Sequence, residues 1–484
     1  MLDPTVQAQL AAVLAPSALL TAPEDTRPYE CDGLTLYREQ PAAVVLPDTE
    51  AQVVEILKLC HAARVPVVAR GAGTSLSGGA LPNAEGVVLS LAKFRRILAI
   101  DMLSRTAVVQ PGVRNLAISE AAAAYGLYYA PDPSSQIACS IGGNVAENAG
   151  GVHCLKYGLT VHNLRRVRAV LVTGDVVELG GDALDSAGYD LLALVTGSEG
   201  LLAVTTEITV KLCPKPQLAQ VALAAFDDIE KAATAVGAII GAGIIPAGLE
   251  MMDQPATRAV EDFVHASYPL DAAAVLLVES DGVAEEVAAE MAQIKRVLSE
   301  SGATEIRVSK DEAQRLLFWS GRKAAFPAVG RISPDYYCID GTIPRRALPQ
   351  VLRRIEEWSQ EFGLTCANVF HAGDGNLHPL ILYDANQPGQ AARAIEYGDR
   401  ILSLCIEVGG TITGEHGVGV EKLGTMCVQF SQDELARFHG IKAAFDPLGL
   451  LNPGKAVPTL ARCAEFGRMH VHHGELRHPD IPRL

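Results

Sequence analysis

The 484-residue chain is longer than the roughly 250–300 residues at which a single hydrophobic core stops growing, so two or three domains are expected. Hydrophobic residues make up 49% and charged residues 20% of the sequence, which is ordinary for a globular protein and excludes a disordered or collagen-like chain. The formal net charge is −16 and no basic run exceeds the pairs at residues 345–346 and 353–354, which excludes nucleic acid as a partner.

The cysteine spacing and the hydropathy of the sequence indicate where in the cell the protein is expected. The ten cysteines are dispersed, without the clustering that ligates iron–sulfur or structural zinc, so we expect reduced and mostly buried thiols. The first four residues, MLDP, lack the basic segment of a signal peptide. The stretch nearest to a membrane span, residues 232–252, is interrupted by Pro246. We therefore expect a cytoplasmic protein without a membrane span, whose contact with the inner membrane would be peripheral and through partners.

Short β-branched strands alternate with helices between about residues 37 and 216. A helix over residues 6–14 and a Pro-rich connector precede them. The predicted strands are 43–46, 65–69, 87–91, 106–110, 167–172, 176–179 and 202–210, and the predicted helices are 50–64 and 115–125, the latter with Asn115 as its cap. The stretch 131–158 is rich in Gly, Asn and Ser and has no periodicity, which is typical of a functional loop.

A second group of elements follows the segment PKP at residues 214–216. Its predicted elements are helices over 228–241, 283–301 and 347–363, a strand over 274–279 and a further segment over 311–334. This pattern predicts a second domain of α+β type. The histidine-rich tail at 470–478 is either an adventitious metal ligand or functionally neutral.

The first motif that carries chemistry lies at residues 70–75, where a strand leads directly into the segment RGAGTS. Glycines permit positive φ angles and close approach of the backbone, so successive N–H groups can converge on phosphate oxygens. The hydroxyls of Thr74, Ser75 and Ser77 add further donors. A tight turn without a ligand is the alternative, and neither GxGxxG nor GxxxxGK[ST] is present.

Three later segments share this loop composition. They read PDPSS at residues 131–135, GGNVAENAGG at 142–151 and TGSEGLLAVT at 196–205. Together with RGAGTS they resemble the FAD-binding domain of the vanillyl-alcohol oxidase / p-cresol methylhydroxylase superfamily, whose elements read RGxGTS, GGxxxxNAGG and GSEGxLGxxT. Ala203 departs from this pattern, because many relatives carry glycine there.

The resemblance implies an α+β fold, in which a two-part FAD-binding domain of the p-cresol methylhydroxylase type carries an α+β substrate domain with an antiparallel sheet. The implied division is an N-terminal helix and connector at 1–36, the FAD-binding domain at 37–216, the substrate domain with the metal site at 217–430, and a C-terminal segment that returns to the FAD domain at 431–484.

The same resemblance implies the cofactor site. Several members attach FAD covalently through a histidine in or near the glycine loop, but Thr74 and Ser75 stand here, so noncovalent FAD is implied. The residues that would contact FAD are Arg70, Gly71, Gly73, Thr74, Ser75, Gly78, Pro131, Asp132, Ser135, Gly142, Gly143, Asn148, Gly150, Gly151, Glu199 and Gly200.

A further motif combines histidines with a carboxylate in the second half. Residues 369–379 read VFHAGDGNLHP, and TGEHGVG follows at 413–419. Two imidazoles and one carboxylate form a three-ligand set that leaves coordination positions free, as a catalytic divalent metal requires. A lone histidine is usually a structural residue, but two histidines around a GDGN turn, together with a Glu-His pair, favour a metal site.

These segments resemble the HxGDGNxH and GEHGxG motifs of FAD-linked D-2-hydroxy acid dehydrogenases, and the resemblance covers nearly the whole chain. It implies that His371, His378 and Glu415 bind a divalent zinc, manganese or iron ion. His416 would be the base that removes the substrate hydroxyl proton. Arg322 would bind the substrate carboxylate, the alternative being a solvated arginine on a helix face.

The implied chemistry is coherent. A metal on a 2-hydroxy acid lowers the hydroxyl pKa, and a neutral imidazole accepts the proton as hydride leaves Cα for flavin N5. A carboxylate is recognised well by a fork-shaped cation. Residues 445–455, FDPLGLLNPGK, resemble the closing motif of the family, in which Asn452 approaches the flavin.

Residues 318–349 and 462–467 are most similar to the flavin subunits of bacterial glycolate oxidases. Leu380 stands where relatives that act on the longer 2-hydroxyglutarate tend to carry Asn, which favours a small monocarboxylate. The resemblance implies oxidation of glycolate to glyoxylate, with D-lactate as the alternative substrate. Electrons would pass to a second FAD-domain subunit, an iron–sulfur subunit and quinone. A metal-dependent hydrolase and a noncatalytic flavin-binding assembly subunit are the competing hypotheses.

Overall fold

The computed structural model describes residues 2–183 and 188–459, so the predicted histidine-rich tail and the segment 462–467 lie outside the described residues. The first elements are α1 (Pro4–Val13), β1 (Leu19–Leu20), α2 (Pro23–Thr26), β2 (Ala43–Val45), α3 (Glu50–Ala63), β3 (Val67–Arg70) and β4 (Val87–Ser90). They form a sheet with the order β1-β2-β4-β3, whose last three strands are parallel. Thr49 caps α3 by accepting from the Gln52 N–H, and the apolar face of α3 is buried beside this sheet.

A second sheet of five antiparallel strands completes the first half. Its elements and their neighbours are β5 (Ile97–Asp101), β6 (Thr106–Val109), α4 (Asn115–Ala122), β7 (Leu127–Tyr128), α5 (Ile141–Glu147), α6 (Cys154–Tyr157), β8 (Leu164–Val170), β9 (Val176–Gly180), α7 (Leu191–Val195), β10 (Val204–Lys211) and β11 (Cys213–Pro214). The strand order is β5-β6-β10-β8-β9, and β7 pairs with β11.

Two local predictions in this half need correction. Asn115 does not cap α4: it is the first residue of the helix, and its side chain donates to the Pro131 carbonyl and to Asn144. This places Asn115 as a brace between the loop and α5. The stretch 131–158 is not one continuous loop, because α5 and α6 form within it. Ser140 caps α5 with a bond from the Gly143 N–H, which gives a helix to a segment without apolar periodicity.

The second half is built on a seven-stranded antiparallel sheet. Its elements are β12 (Leu218–Phe226), α8 (Ile229–Gly241), β13 (Gly248–Asp253), α9 (Gln254–Val264), β14 (Ala274–Gly282), α10 (Ala284–Glu300), β15 (Glu305–Val308), α11 (Glu312–Val329), β16 (Asp335–Cys338), α12 (Leu348–Phe362), β17 (Cys366–Phe370), β18 (Pro379–Tyr383) and α13 (Gln390–Glu407). The order is β15-β12-β14-β13-β17-β18-β16. The predicted α+β fold with an antiparallel sheet in the second domain is therefore confirmed.

Helices cover both faces of this sheet. Alternate residues of β14 point to opposite sides, so Leu276 and Val278 join the core under α8, α10 and α12, while Val275 and Leu277 join the core under α9 and α11. The apolar stretch at 232–252 is the end of α8 followed by β13. Within the described residues, no helix combines the length and the apolar character that a membrane crossing requires.

The C-terminal segment returns to the first half. After α14 (Leu423–Gln429) and α15 (Gln432–Phe445), the backbone of Leu450 accepts from the Val67 N–H at 2.8 Å. The Asn452 N–H then donates to the Val67 carbonyl, also at 2.8 Å. These bonds extend the first sheet beside β3, the strand that leads into the RGAGTS loop.

Candidate active site

A cavity of about 520 Å³ opens where the glycine-rich loops meet the second half of the chain. His378, Glu415 and His416 line it, as do Lys323 and Phe326 of α11. The predicted flavin residues that line it are Arg70, Gly71, Gly73, Thr74, Ser75, Ser135, Gly142, Gly143, Glu199 and Gly200. A single cavity therefore adjoins both of the sites that the motifs predict.

The loop after β3 has the properties of a phosphate cradle. Among the described residues, the backbone N–H groups of 71–75 have no backbone acceptor. A Cβ at Gly71 would lie 2.2 Å from the Ser140 Oγ, and Gly73 has a φ of 71°. Arg70 donates to the Cys31 carbonyl at 2.7 Å and so fixes the loop. Free amides on a close-packed glycine backbone suit a pyrophosphate.

Seven of the predicted cofactor residues do not line the cavity. They are Gly78, Pro131, Asp132, Asn148, Gly150, Gly151 and Asn452. Asn452 instead donates to the carbonyls of Gly79 and Glu199, at 2.9 and 2.6 Å, and thereby joins two of the loops. A Cβ at Gly150 would lie 2.6 Å from the Glu415 Oε2, so Gly150 faces the acidic group of the GEHG motif.

Asp132 is bound by a histidine that the motifs do not include. His153 Nδ1 lies 2.8 Å from the Asp132 Oδ2, and its Nε2 lies 3.3 Å from the Glu279 Oε1 on β14. Burial alone would lower the pKa of His153, but Asp132 and Glu279 raise it well above its usual value. His153 is therefore a charged bridge between the two halves of the chain.

Two buried carboxyl groups lie between the flavin loops and the GEHGVG loop. Glu199 accepts from the N–H groups of Val418 and Gly419, both at 2.7 Å, and so ties the two halves together. Glu147, which the sequence did not single out, lines the cavity and bonds Ser75 at 3.4 Å. Burial raises the pKa of Glu147 well above its usual value, and it raises the pKa of Glu199 although the N–H groups of Val418 and Gly419 act in the opposite direction.

The GDGN turn brings the two motif histidines together. His371 follows β17 and His378 precedes β18, which pairs with β17. Asp374 accepts from the Asn376 N–H at 3.0 Å, and Gly375 has a φ of 84°, so the chain reverses tightly. The two imidazole rings lie 5.0 Å apart in a T-shaped arrangement.

Asp340 anchors the loop that carries Glu415 and His416, although no motif marked it as a site residue. The groups that donate to its carboxylate are the backbone N–H of Gly414, Glu415 and His416, the Thr413 hydroxyl and the Lys422 ammonium. Burial alone would raise the pKa of Asp340, but His416 and Lys422 hold it well below its usual value. The ionised carboxylate therefore fixes the backbone of the GEHG loop.

The predicted metal ligands converge as a compact donor set. His371 Nε2 and His378 Nε2 each lie 3.2 Å from the Glu415 Oε1, and the three donor atoms lie within 4.8 Å of one another. Burial alone would raise the pKa of Glu415, but His371 and His378 lower it to about 2. His378 Nε2 is buried and, although it is close to Glu415, no group among the described residues forms a hydrogen bond of suitable geometry with it. Two imidazoles and an ionised carboxylate in this geometry could hold a divalent cation.

His416 lies next to this donor set and faces the cavity. Its ring stacks on His378 with centroids 4.9 Å apart. Burial lowers the pKa of His416 to about 4, so the imidazole is neutral near pH 7. Its Nδ1 has no hydrogen-bond partner within the described part of the chain. A neutral imidazole beside a cation site is able to accept a proton from a bound hydroxyl.

Arg322 is buried, with 1% of its surface exposed, which rules out a solvated arginine on a helix face. Its Nε donates to the Glu250 Oε2 at 2.6 Å. Within the described residues, Nη1 and Nη2 have no partner, although both are buried. Two unpaired donors on one buried guanidinium suit an anion. Arg322 lies next to Lys323, which lines the cavity, but does not itself line it. Leu380 does not line the cavity either, and it is buried between Cys338 and Ala367.

Known protein families match both halves of this chain. Family models match at residues 41–180, for an FAD binding domain, and at 215–456, for the C-terminal domain of FAD linked oxidases. Over 466 residues, the sequence is 64% identical to the glycolate oxidase subunit GlcD of Escherichia coli (strain K12), covering 96% of this chain and 93% of the relative. The chain belongs to the family of FAD-linked oxidases. It is also 31% identical to a D-lactate dehydrogenase of Anaerostipes hadrus, covering 91% of this chain and 95% of that relative.

The fold of this FAD-linked oxidoreductase agrees with a solved structure. A crystal structure of p-cresol methylhydroxylase with substrate bound superposes with a TM-score of 0.80 at 17% identity, covering 94% of this chain and 97% of that one. The predicted fold type is therefore confirmed, and so is FAD as the cofactor of the family. Sequence reasoning missed Glu147, His153, Glu250 and Asp340, which connect the motifs to one another.

Proposed function

We propose that this chain oxidises glycolate to glyoxylate with noncovalently bound FAD, as the flavin subunit of a larger oxidase. The observation that carries the proposal is the shared cavity, lined at one side by the RGAGTS loop and at the other by His378, Glu415 and His416. A relative at 64% identity that is named as a glycolate oxidase subunit supports the choice of substrate.

FAD supplies the two-electron acceptor, since flavin N5 takes up hydride from a substrate carbon. The loop at 71–75 would hold the pyrophosphate through its free N–H groups. The residues at 74 and 75 are Thr and Ser, which do not form the histidyl link of covalent flavoproteins. We therefore propose that FAD is released intact when the protein is denatured.

A divalent zinc, manganese or iron ion, held by His371, His378 and Glu415, would supply a Lewis acid for the substrate hydroxyl. His416 would accept the hydroxyl proton, because its imidazole is neutral and faces the cavity. Arg322 would bind the substrate carboxylate through Nη1 and Nη2, which have no partner among the described residues.

The electrons of the reduced flavin would pass to a second protein. The Escherichia coli relative is named as a subunit, which supports an assembly with partners. We propose a second FAD-domain subunit and an iron–sulfur subunit that leads to quinone. The peripheral contact of such an assembly with a membrane would then lie in the partners.

The test is anaerobic mixing of the purified protein with candidate acids while the absorbance of oxidised flavin is followed. Glycolate should bleach the flavin, D-lactate should act more slowly and D-2-hydroxyglutarate should not act. Chelation should abolish bleaching without releasing FAD, and added Zn²⁺ or Mn²⁺ should restore it. Faster bleaching by D-lactate would identify a D-lactate dehydrogenase. Protein that contains no FAD would favour a metal-dependent hydrolase instead.

A further inference from the structure

Glu250 is a buried carboxylate that belongs to none of the motifs. It lies on β13 with 1% of its surface exposed, and it is the only charged residue in the apolar stretch 232–252. Burying a carboxylate is costly unless its oxygens are well bonded. The contacts of Glu250 therefore indicate why a charge is tolerated at this position.

Each oxygen of Glu250 has one partner from the candidate active site. Oε2 accepts from the Arg322 Nε at 2.6 Å, and Oε1 lies 2.7 Å from the His371 Nδ1. A carboxylate accepts only, so His371 must carry its proton on Nδ1 for this bond. Nε2 is then the nitrogen of His371 that is left for a metal ion, and it lies 3.2 Å from the Glu415 Oε1.

The other partner is constrained in the same way. Because Nε of Arg322 is used by Glu250, the guanidinium presents Nη1 and Nη2, which have no partner among the described residues. One carboxylate thus fixes both a candidate metal ligand and a candidate anion-binding group. An α-hydroxy acid carries its hydroxyl and its carboxylate on adjacent carbons. A constant distance between His371 and Arg322 therefore matters for binding both groups of such a substrate at once.

We propose that Glu250 is a positioning residue, which sets the tautomer of His371 for metal binding and holds Arg322 at a fixed spacing for the substrate carboxylate. The inference rests on the metal site of the proposed function. Carboxylates that bond the outer nitrogen of a ligating histidine commonly change metal affinity by about 10–100-fold when they are removed.

Glu279, on the neighbouring strand β14, provides a matched control for the substitution of Glu250. Glu279 of β14 is also buried, and it accepts from Arg315 Nη1 at 2.8 Å and lies near His153. In the pairing of β13 with β14, Glu279 is opposite Gly248, two residues from Glu250 on the same face of the sheet. Its histidine contacts Asp132 rather than Glu415.

The experiment compares E250Q with E279Q in FAD-loaded protein from which metal has been removed by chelation. Zn²⁺ affinity is measured by competition with a chromophoric chelator, without turnover. The amide of E250Q can accept from only one of two donors, so Zn²⁺ affinity should fall by about 10–100-fold. E279Q should bind Zn²⁺ as the wild type does, and FAD content should be equal in all three proteins. The KM for glycolate should also rise in E250Q.

Three outcomes would overturn the inference. Unchanged Zn²⁺ affinity in E250Q would remove the role of Glu250 and leave the metal site intact. An equal loss in E279Q would show a general effect of breaking a buried ion pair. A wild type that takes up no divalent cation would overturn the metal site together with this inference. If E250Q does not fold, E250D is the second test, because its shorter side chain keeps the charge but cannot reach both partners, and its affinity should fall too.

Discussion

Arg315 and Arg322 lie seven residues apart on α11, and each donates to a buried glutamate on one of two neighbouring strands. Arg315 bonds Glu279 on β14 at 2.8 Å, and Arg322 bonds Glu250 on β13 at 2.6 Å. Because seven residues are close to two helical turns, the two guanidinium groups leave the same side of α11.

Each of these two glutamates also contacts a histidine. The histidine of Glu279 is His153, which leads to Asp132 in the flavin loops, and the histidine of Glu250 is His371 in the candidate metal set. Helix α11 is thereby connected to both sites. Lys323 and Phe326 of the same helix line the shared cavity, so α11 also forms part of the cavity wall.

Replacing Arg315 by Met should destabilise the second half of the chain. Glu279 would remain buried with only His153 and Trp319 as partners, and losing a hydrogen bond to a buried charged group costs about 1.5–3 kcal/mol. The measurement is urea unfolding followed by tryptophan fluorescence, because both tryptophans of the chain, Trp319 and Trp358, lie in α11 and α12. The control is K231M, which removes an exposed pair with Asp227 and should leave the unfolding midpoint nearly unchanged, because water and salt screen such a pair. Equal midpoints for the two variants would contradict the prediction.

The same network predicts a pH dependence of stability. Burial alone would raise the pKa of Glu279, but His153 and Arg315 lower it from its usual 4.5 to about 2. Between pH 2 and 4.5 the unfolded chain therefore binds more protons than the folded chain. This contribution is present above pH 4.5 and is lost as the pH falls towards 2.

The contribution of His153 to stability depends on pH in the opposite direction. Its pKa is raised above 6.5, so its contribution is present below pH 6.5 and is lost as the pH rises through the folded value. The difference in unfolding free energy between wild type and the variant E279Q should therefore be largest between pH 4.5 and 6.5. A difference that does not change with pH would contradict this account.

The local motifs could be predicted because their residues are contiguous. The loop at 70–75 and the turn between His371 and His378 are specified by glycines and by an Asx contact within a few residues. Strands β13, β17 and β18 were not predicted, since every residue in them is buried and the period of two is absent.

The residues that link the motifs could not be read from local spacing. Asp340 bonds backbone groups more than seventy positions away, and nothing near it in the sequence marks the partners. Glu250 did leave a signal, because a single charge within the apolar stretch 232–252 must have a buried partner. Its partners, Arg322 and His371, are known only from the packing of α11 and β17 on the sheet.

Substituting Gly71 by Ala should weaken FAD binding. The new Cβ would lie 2.2 Å from the Ser140 Oγ, and relieving such overpacking costs about 1–3 kcal/mol. The dissociation constant for FAD should therefore rise on the order of tenfold or more, measured by fluorescence titration of the apoprotein.

Two further variants make this test specific. In G71A/S140A the clashing oxygen is removed, so part of the affinity should return. G237A places its Cβ in open space on α8 and should bind FAD as the wild type does. Equal affinity in G71A and G237A would mean that the loop after β3 does not contact the cofactor.

Replacing His416 by Ala should slow flavin reduction by glycolate about 10²–10⁴-fold, because the proposed proton acceptor is lost. FAD content should not change, since His416 is not in the flavin loops. Zn²⁺ binding separates two roles, because His378 can form a donor set with His371 and Glu415 or with Asp340 and His416. Retained Zn²⁺ affinity together with slow reduction indicates a base, whereas lost affinity indicates that His416 is a ligand. A reduction rate equal to that of the wild type would instead favour a flavin subunit without a catalytic role for this histidine.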